Sequence, residues 1–313
     1  MEGAGASQDA REATPELVPP ITGSRLARFE GYVSAFRPVF HRSDQLLRFR
    51  AYVRGLLERT ERKNVESIAT AARRVMMVES NLGQALQHFV SHSPWDARRL
   101  LAAVRNFSVA PRPDPAAIWV VHDGVFAKKG RHSVGVQRQY ARSVGKKINC
   151  QVGVFVARVG PAGYFPLAAR LYLPASWLRE HADSDERALP AEYREPATKA
   201  EIALRLIDDL RSEGDAPGAV TGEAEYIGGT GFRDGLTARG LVAREDLAAP
   251  LAEARRRFEW LKNELGLDHF EGRAWHGWHH HVSLVFAAYG FLCGEEGMEL
   301  PPFRAPTPLP SVD

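Results

Sequence analysis

The run Ile118-Trp119-Val120-Val121-His122-Asp123-Gly124, closed by Lys128-Lys129-Gly130, decides how this chain is read. An apolar, β-branched run that ends in one aspartate and passes into a basic turn predicts a buried strand bringing a carboxylate to its end. Asn149-Cys150-Gln151 opens a second apolar run at Val152–Ala157, and Phe165–Pro174 supplies a third after a Gly/Pro turn. Adjacent strands with a lone acid suit a metal-dependent phosphoryl-transfer site, although a bare aspartate in that position more often caps a turn.

Working outward, the 313 residues are enough for one large domain or two modest ones. The net charge is only +3, but it is unevenly spread. Arg25–Arg105 carries a net +8 and Arg112–Arg158 a net +7, which leaves the remainder at −12. Two basic blocks on a near-neutral chain suit a polyanion-binding surface, with solvated helix faces as the plainer alternative. The two cysteines, Cys150 and Cys293, lie in apolar runs and are expected as buried free thiols, which suggests a cytoplasmic protein. Met1–Pro20 lacks a signal-peptide pattern, and the apolar run Val282–Cys293 is too short to span a bilayer, so no membrane association is expected.

In chain order, a tail at 1–23 rich in Gly, Ala, Glu and Pro is expected to be disordered. Residues 24–110 show helical periodicity and predict an all-helical domain with a basic face; one of its helices starts after Ser93-Pro94-Trp95-Asp96. Pro111–Pro115 is a linker. A mixed α/β domain at 115–295 follows: three strands, a variable loop at Asp183–Pro196, a helix at Lys199–Ser212, a short strand at Ala219–Val220, and helices at Gly231–Gly240, Ala249–Leu265 and His276–Leu292. A Pro-rich tail closes the chain at 296–313.

Several stretches together resemble bacterial insertion-sequence transposases of the DDE superfamily. Tyr52-Val53-Arg54-Gly55-Leu56-Leu57, Arg62-Lys63-Asn64, Leu86-Gln87-His88-Phe89 and Ser93-Pro94-Trp95-Asp96 are similar to that family's N-terminal helical domain. Asp123 with Lys128-Lys129-Gly130, His132-Ser133-Val134-Gly135-Val136 and Asn149-Cys150-Gln151-Val152-Gly153-Val154 resemble its first catalytic segment. Arg170-Leu171-Tyr172-Leu173-Pro174, Glu264-Leu265-Gly266-Leu267-Asp268-His269-Phe270-Glu271, Arg273 and Gly277-Trp278-His279 extend the likeness to roughly residues 25–295. The resemblance implies an RNase H-like α/β fold, a mixed sheet flanked by helices, behind a helical DNA-binding domain. It also implies three carboxylates holding two Mg²⁺ or Mn²⁺ ions, which polarise the scissile phosphate and activate the attacking oxygen.

Carried over residue by residue, Asp123 is the first acid and, with Glu223, the expected metal ligand set. Glu223 stands where the family has its second aspartate, and Arg255 stands at the third acidic position. The longer Glu223 side chain moves its carboxylate by about 1.5 Å. A guanidinium at 255 would pair with Asp123 or Glu223 and replace a metal's charge. Glu259, four residues on and on the same helical face, is the candidate substitute, so the catalytic candidates are Asp123, Glu223 and Glu259. The chain is also short between the second and third positions, passing from Gly240 to Ala249 in a few residues, and the usual fifth strand is expected to be missing.

Phosphate contacts with double-stranded DNA are expected from Arg54, Arg62 and Lys63 in the helical part. Lys128, Lys129, Arg131, His132, Arg138, Lys146 and Lys147 are expected to make them near the site. His276 and His280 have the i, i+4 spacing of a zinc pair but lack the intervening glutamate of a protease motif, so the histidines at 276–281 are expected to pack or to face DNA. His122 should point to the sheet face opposite Asp123. Three functions stay open. The leading one is a transposase-derived, domesticated DNA-binding protein with a degenerate active site, possible as a homodimer. The others are an active divalent-metal-dependent strand-transfer enzyme, and an enzyme of new small-molecule chemistry using Asp123, Glu223 and Arg255.

Overall fold

The run around Asp123 forms β1 (Ile118–Ala127), the strand on which the sheet is assembled. The computed structural model describes residues 18, 20–111, 114–181 and 189–295. β2 (Gln137–Ala141), β3 (Lys146–Gly160), β4 (Gly163–Tyr172) and β5 (Ala219–Gly222) complete a five-stranded mixed sheet. β3 runs antiparallel to β1, β2 and β4, whereas β5 runs parallel to β1. With helices on its faces and further helices before it, this is the RNase H-like mixed sheet that the resemblance implies.

β1 does not end at its aspartate. It continues through Gly124-Val125-Phe126-Ala127, so Asp123 sits inside the strand. The reason is packing on one face. Gly124 pairs with Gly153 of β3, and an added Cβ at Gly124 would come within 2.4 Å of Phe155 and 2.5 Å of Phe258. The two glycines leave room for a cluster of Phe126, Phe155, Phe258 and Trp278 rings. We therefore expect Gly124→Ala to destabilise the fold by about 2 kcal/mol through overpacking, measured as a lower urea midpoint at unchanged slope. An unchanged midpoint would mean that the rings move aside freely.

The helices before the sheet are α1 (Gly23–Ala35), α2 (Ser43–Leu57), α3 (Val65–Val75), α4 (Leu82–Ser91) and α5 (Ala97–Ser108). The last starts where the sequence places it, with the Asp96 side chain accepting from the Arg98 N–H at 2.8 Å. After the sheet's antiparallel part come α6 (Ala175–Glu180), α7 (Lys199–Ser212), α8 (Ala224–Ile227), α9 (Thr230–Ala238), α10 (Ala248–Leu265) and α11 (Trp275–Gly294). α11 is apolar around nearly its whole circumference, as a helix buried on every side must be. The early helices dock on it through core contacts and polar clasps. Tyr32 Oη donates to the Ala287 carbonyl at 2.7 Å, and Tyr52 Oη lies 2.9 Å from His281 Nδ1.

Where a further strand is expected to be missing, the described residues hold an isolated bridge. Ala243 forms a parallel bridge with Val220; Val220 N donates to the Val242 carbonyl and Arg244 N to the Val220 carbonyl. A single bridge on the outer edge of β5 thus stands where a full strand would lie. Of the expected tail at 1–23, only residues 18 and 20–23 are described, and Ile21 among them is buried in the core. The tail at 296–313 and residues 183–188 of the expected variable loop lie outside the described residues. No described helix is long and apolar enough to cross a membrane.

Candidate functional site

Alternation along β1 sends His122 to the aromatic face and Asp123 to the other. His122 is buried, stacked on Phe155 and edge-on to Phe258. β5 pairs with β1 as far as Gly222 opposite Val121, which puts Glu223 at the end of that ladder, its N–H donating to the Val121 carbonyl at 3.0 Å. The Asp123 N–H in turn donates to Glu223 Oε2 at 3.2 Å, so the two acids are neighbours. The short α8 then presents Glu225 and Tyr226. α7, held at its start by a Thr198/Glu201 capping box, presents Lys199.

The carboxylates meet protein donors at every oxygen. Asp123 Oδ2 accepts from the Lys199 ammonium and Oδ1 from Tyr226 Oη at 2.6 Å. Glu223 Oε1 accepts from Arg255 Nε and Nη2 at 3.1 and 3.0 Å, and Oε2 from the Asp123 N–H. Lys199 also reaches Glu225 Oε2 at 3.3 Å, and Arg142 Nε donates to Glu225 Oε1 at 2.8 Å. Burial raises the Asp123 carboxyl above its ordinary value, against the pull of Lys199 and Tyr226. For Lys199, burial opposes the charge, but the Asp123 and Glu225 carboxylates outweigh it and hold the ammonium's pKa above normal. Burial and the adjacent Asp123 charge keep the Tyr226 phenol protonated, which suits its role as donor.

This donor set does not fit two divalent ions. The third acidic position carries a cation, Arg255, and Glu259 pairs with Lys262 of its own helix at 3.0 Å. Lys199 and Arg255 already supply positive charge where the metals' charge would lie, so two added dications would meet like charge. Among the described residues, no group of three or more His, Cys, Asp and Glu side chains is placed to hold a metal. Pairing of Arg255 with Glu223 follows the sequence expectation. Lys199, Tyr226, Glu225 and Arg142 are additions that the sequence reading did not assign to the site.

The expected phosphate contacts divide by exposure. Arg54 is buried, paired with Glu58 at 2.8 Å and lying over the Phe29 ring. Lys63 is buried too, and its ammonium donates to the Leu56 and Glu58 carbonyls at 2.6 Å, closing the C-terminus of α2. Burial pulls its pKa down to about 8. Lys128 donates to the Phe270 carbonyl at 2.6 Å, and burial lowers its pKa as well. The charges of these three residues are directed to internal partners. Arg62 is exposed but paired with Glu271 at 2.5 Å. Lys129, Arg131, His132, Arg138, Lys146 and Lys147 are exposed, the last three on β2 and β3 beside exposed Tyr140.

The histidines at the start of α11 are structural, apart from exposed His276. Both His280 nitrogens face backbone carbonyls, of Val90 at 2.7 Å and Trp95 at 2.8 Å. His281 sits between Tyr52 and the Gly266 carbonyl, and His279 Nε2 accepts from the Leu171 N–H at 3.3 Å.

The family model described as DDE superfamily endonuclease matches residues 35–246. A probable transposase for insertion sequence element IS701 from Microchaete diplosiphon is 33% identical over 131 residues. That alignment covers 42% of this chain and 31% of the relative, so the chain matches less than a third of the relative's length. No solved structure matches.

Proposed function

Because the chain belongs to the DDE superfamily endonuclease family, we propose that it is a transposase-derived protein that binds duplex DNA without divalent-metal-dependent strand transfer. The observation that carries this reading is the engagement of all four Asp123 and Glu223 oxygens by protein donors, two of them the cations Lys199 and Arg255. A centre neutralised from within keeps the fold's charge balance but supplies neither a polarised phosphate nor an activated water. DNA contact falls to the exposed Lys129, Arg131, Arg138, Lys146 and Lys147, which lie along the β2 and β3 side of the molecule. The active-enzyme alternative needs Glu259 at the carboxylate pair, whereas Lys262 holds it. The small-molecule alternative needs an open cleft at Asp123, where hydrogen bonds and ion pairs draw the side chains together.

The test is a duplex-DNA titration at two salt concentrations, with and without Mg²⁺ or Mn²⁺, scoring cleavage in the same samples. We expect binding that weakens steeply with salt and no cleavage with either metal. Lys146→Gln with Lys147→Gln should lower affinity on all sequences and reduce the log–log salt slope by roughly 2. Metal-dependent nicking that Asp123→Ala abolishes would overturn the proposal, as would the absence of any salt-dependent binding.

A further inference from the structure

A groove of about 520 Å³ runs between α5, β4 and α7, and its lining includes Arg98, Arg99, Arg170, Arg205, Tyr193 and Asp209. Arg170 is a member whose guanidinium has neither an ion pair nor a hydrogen bond among the described residues. It lies on β4 opposite Val154, which lies opposite Asp123, so it shares Asp123's sheet face two strands away, at about 10 Å by strand spacing. Its guanidinium stacks on the Tyr193 ring at 4.1 Å from the centroid, and Tyr193 in turn packs against Trp275. Its Nε is shut off from solvent and has no acceptor among the described residues. A buried donor left open in this way calls for an explanation, because native structures rarely tolerate one.

Arg105, which lines the same groove, also has a buried Nε without a hydrogen-bond partner among the described residues, but the rest of its guanidinium is engaged. Arg105 donates to the Leu167 carbonyl at 2.7 Å and pairs with Glu213 and Asp215. Those contacts also take Glu213 out of the groove's charge balance, and Glu192 lies 4.0 Å from Arg98. Only Asp209 then stands against Arg99, Arg170 and Arg205, and burial pushes its carboxyl up. A planar guanidinium without an ion pair, backed by Arg205 and by Arg99, whose Nη2 donates to the Pro38 carbonyl at 3.3 Å, matches an oxyanion that can accept in a fork. A surplus of two positive charges matches a phosphate monoester better than a single carboxylate.

We propose that this groove binds a phosphate monoester, with Arg170 as the principal donor and Arg205 and Arg99 as supporting charges. The site is distinct from the carboxylate centre, and it does not depend on whether the β2 and β3 face binds duplex DNA. The same chemistry is offered by inorganic phosphate and by the terminal phosphate of a nucleic-acid strand.

Calorimetric titration of the full chain distinguishes these sources. The probes are inorganic phosphate, a 5′-phosphorylated single-stranded oligonucleotide, and the same oligonucleotide without its phosphate. Wild type should bind inorganic phosphate, and Arg170→Gln should weaken that binding at least tenfold with an unchanged melting temperature. Arg205→Gln, an exposed position, should weaken it about threefold, and it carries the test if the Arg170 variant folds poorly. Preference for the phosphorylated oligonucleotide that is lost in the Arg205→Gln protein assigns the monoester to a strand end. No such preference assigns the site to the free anion. Absence of phosphate binding by wild type, or equal binding by both variants, overturns the proposal. Loss of duplex binding in the Lys146/Lys147 protein with phosphate binding intact leaves this site standing.

Discussion

Replacing Lys199 with methionine should destabilise the protein by about 3 kcal/mol at pH 7, measured by urea unfolding. The substitution keeps the side chain's length and packing but strands the Asp123 carboxylate, whose side chain is 11% exposed. Removing one member of a buried pair typically costs about 3–5 kcal/mol, and the 25% exposure of Lys199 places the expected loss at the low end. The penalty has a definite pH dependence. Without its cation, Asp123 has a native pKa still further above its unfolded value of ~3.9, so the native state binds the extra proton. The deficit is therefore greatest at neutral pH and shrinks as pH falls toward that unfolded value.

The reverse substitution separates a structural pair from a metal centre. Asp123→Asn leaves Lys199 with Glu225 at 3.3 Å, so it should cost only about 1 kcal/mol. The double variant should cost only about 1 kcal/mol, recovering most of the Lys199→Met loss and giving a coupling of about 3 kcal/mol. In a centre built for divalent ions, Asp123→Asn relieves repulsion among clustered acids and stabilises the metal-free protein. A stabilised Asp123→Asn protein, with no coupling to residue 199, would remove the internal cation from the account.

The parts of this site legible in sequence are those whose identity follows from order along the chain. Asp123 lies in the most apolar run, Glu223 follows the short strand at 219–222, and Arg255 falls on a helix where an acid is expected. Lys199 was hidden because it reaches Asp123 across 76 residues from the start of another helix. One local signal pointed to it. A lysine at the first helical position opposes the helix dipole, which favours acids there, so it needs a tertiary partner. The helix itself, Lys199–Ser212, was readable from its apolar spacing, and the structure adds a capping box at its start. β2 was not, because Gln137-Arg138-Gln139-Tyr140-Ala141 lacks the apolar alternation that marks a strand. The burial of Arg54 and Lys63 was not legible, since a residue count cannot tell a solvated cation from one tied to a carboxylate or a carbonyl. The end of β1 was misplaced for a related reason. Glycine usually marks a break, whereas Gly124 is there to admit a ring.

Acid should unfold this protein cooperatively between pH 6.5 and 4, with an uptake of about three protons. Burial lowers the pKa of His122 to about 4, of His279 to about 3 and of His281 to about 4, and each hydrogen-bond geometry suits a neutral ring. His279 holds its Nε2 lone pair toward the Leu171 N–H, and His281 holds Nδ1 toward the Tyr52 hydroxyl. His280 is left out of the sum because its two carbonyl partners favour the charged form, in opposition to its burial. In the unfolded chain all three rings titrate near ~6.5, so below that value the unfolded state binds more protons and stability falls as pH falls. Three such groups give at most about 4 kcal/mol per pH unit, so up to about 10 kcal/mol is lost by pH 4, enough to exhaust a stability in the lower half of the usual range of roughly 5–15 kcal/mol. Asp123 works the other way, since its raised pKa lets the native state take up a proton first, and it offsets at most one of the three. His122→Leu should therefore lower both the proton uptake and the acid midpoint, because the ring it replaces has a buried Nε2 without a partner among the described residues. A pH-independent stability between 7 and 5 would show that these rings are already charged in the folded protein.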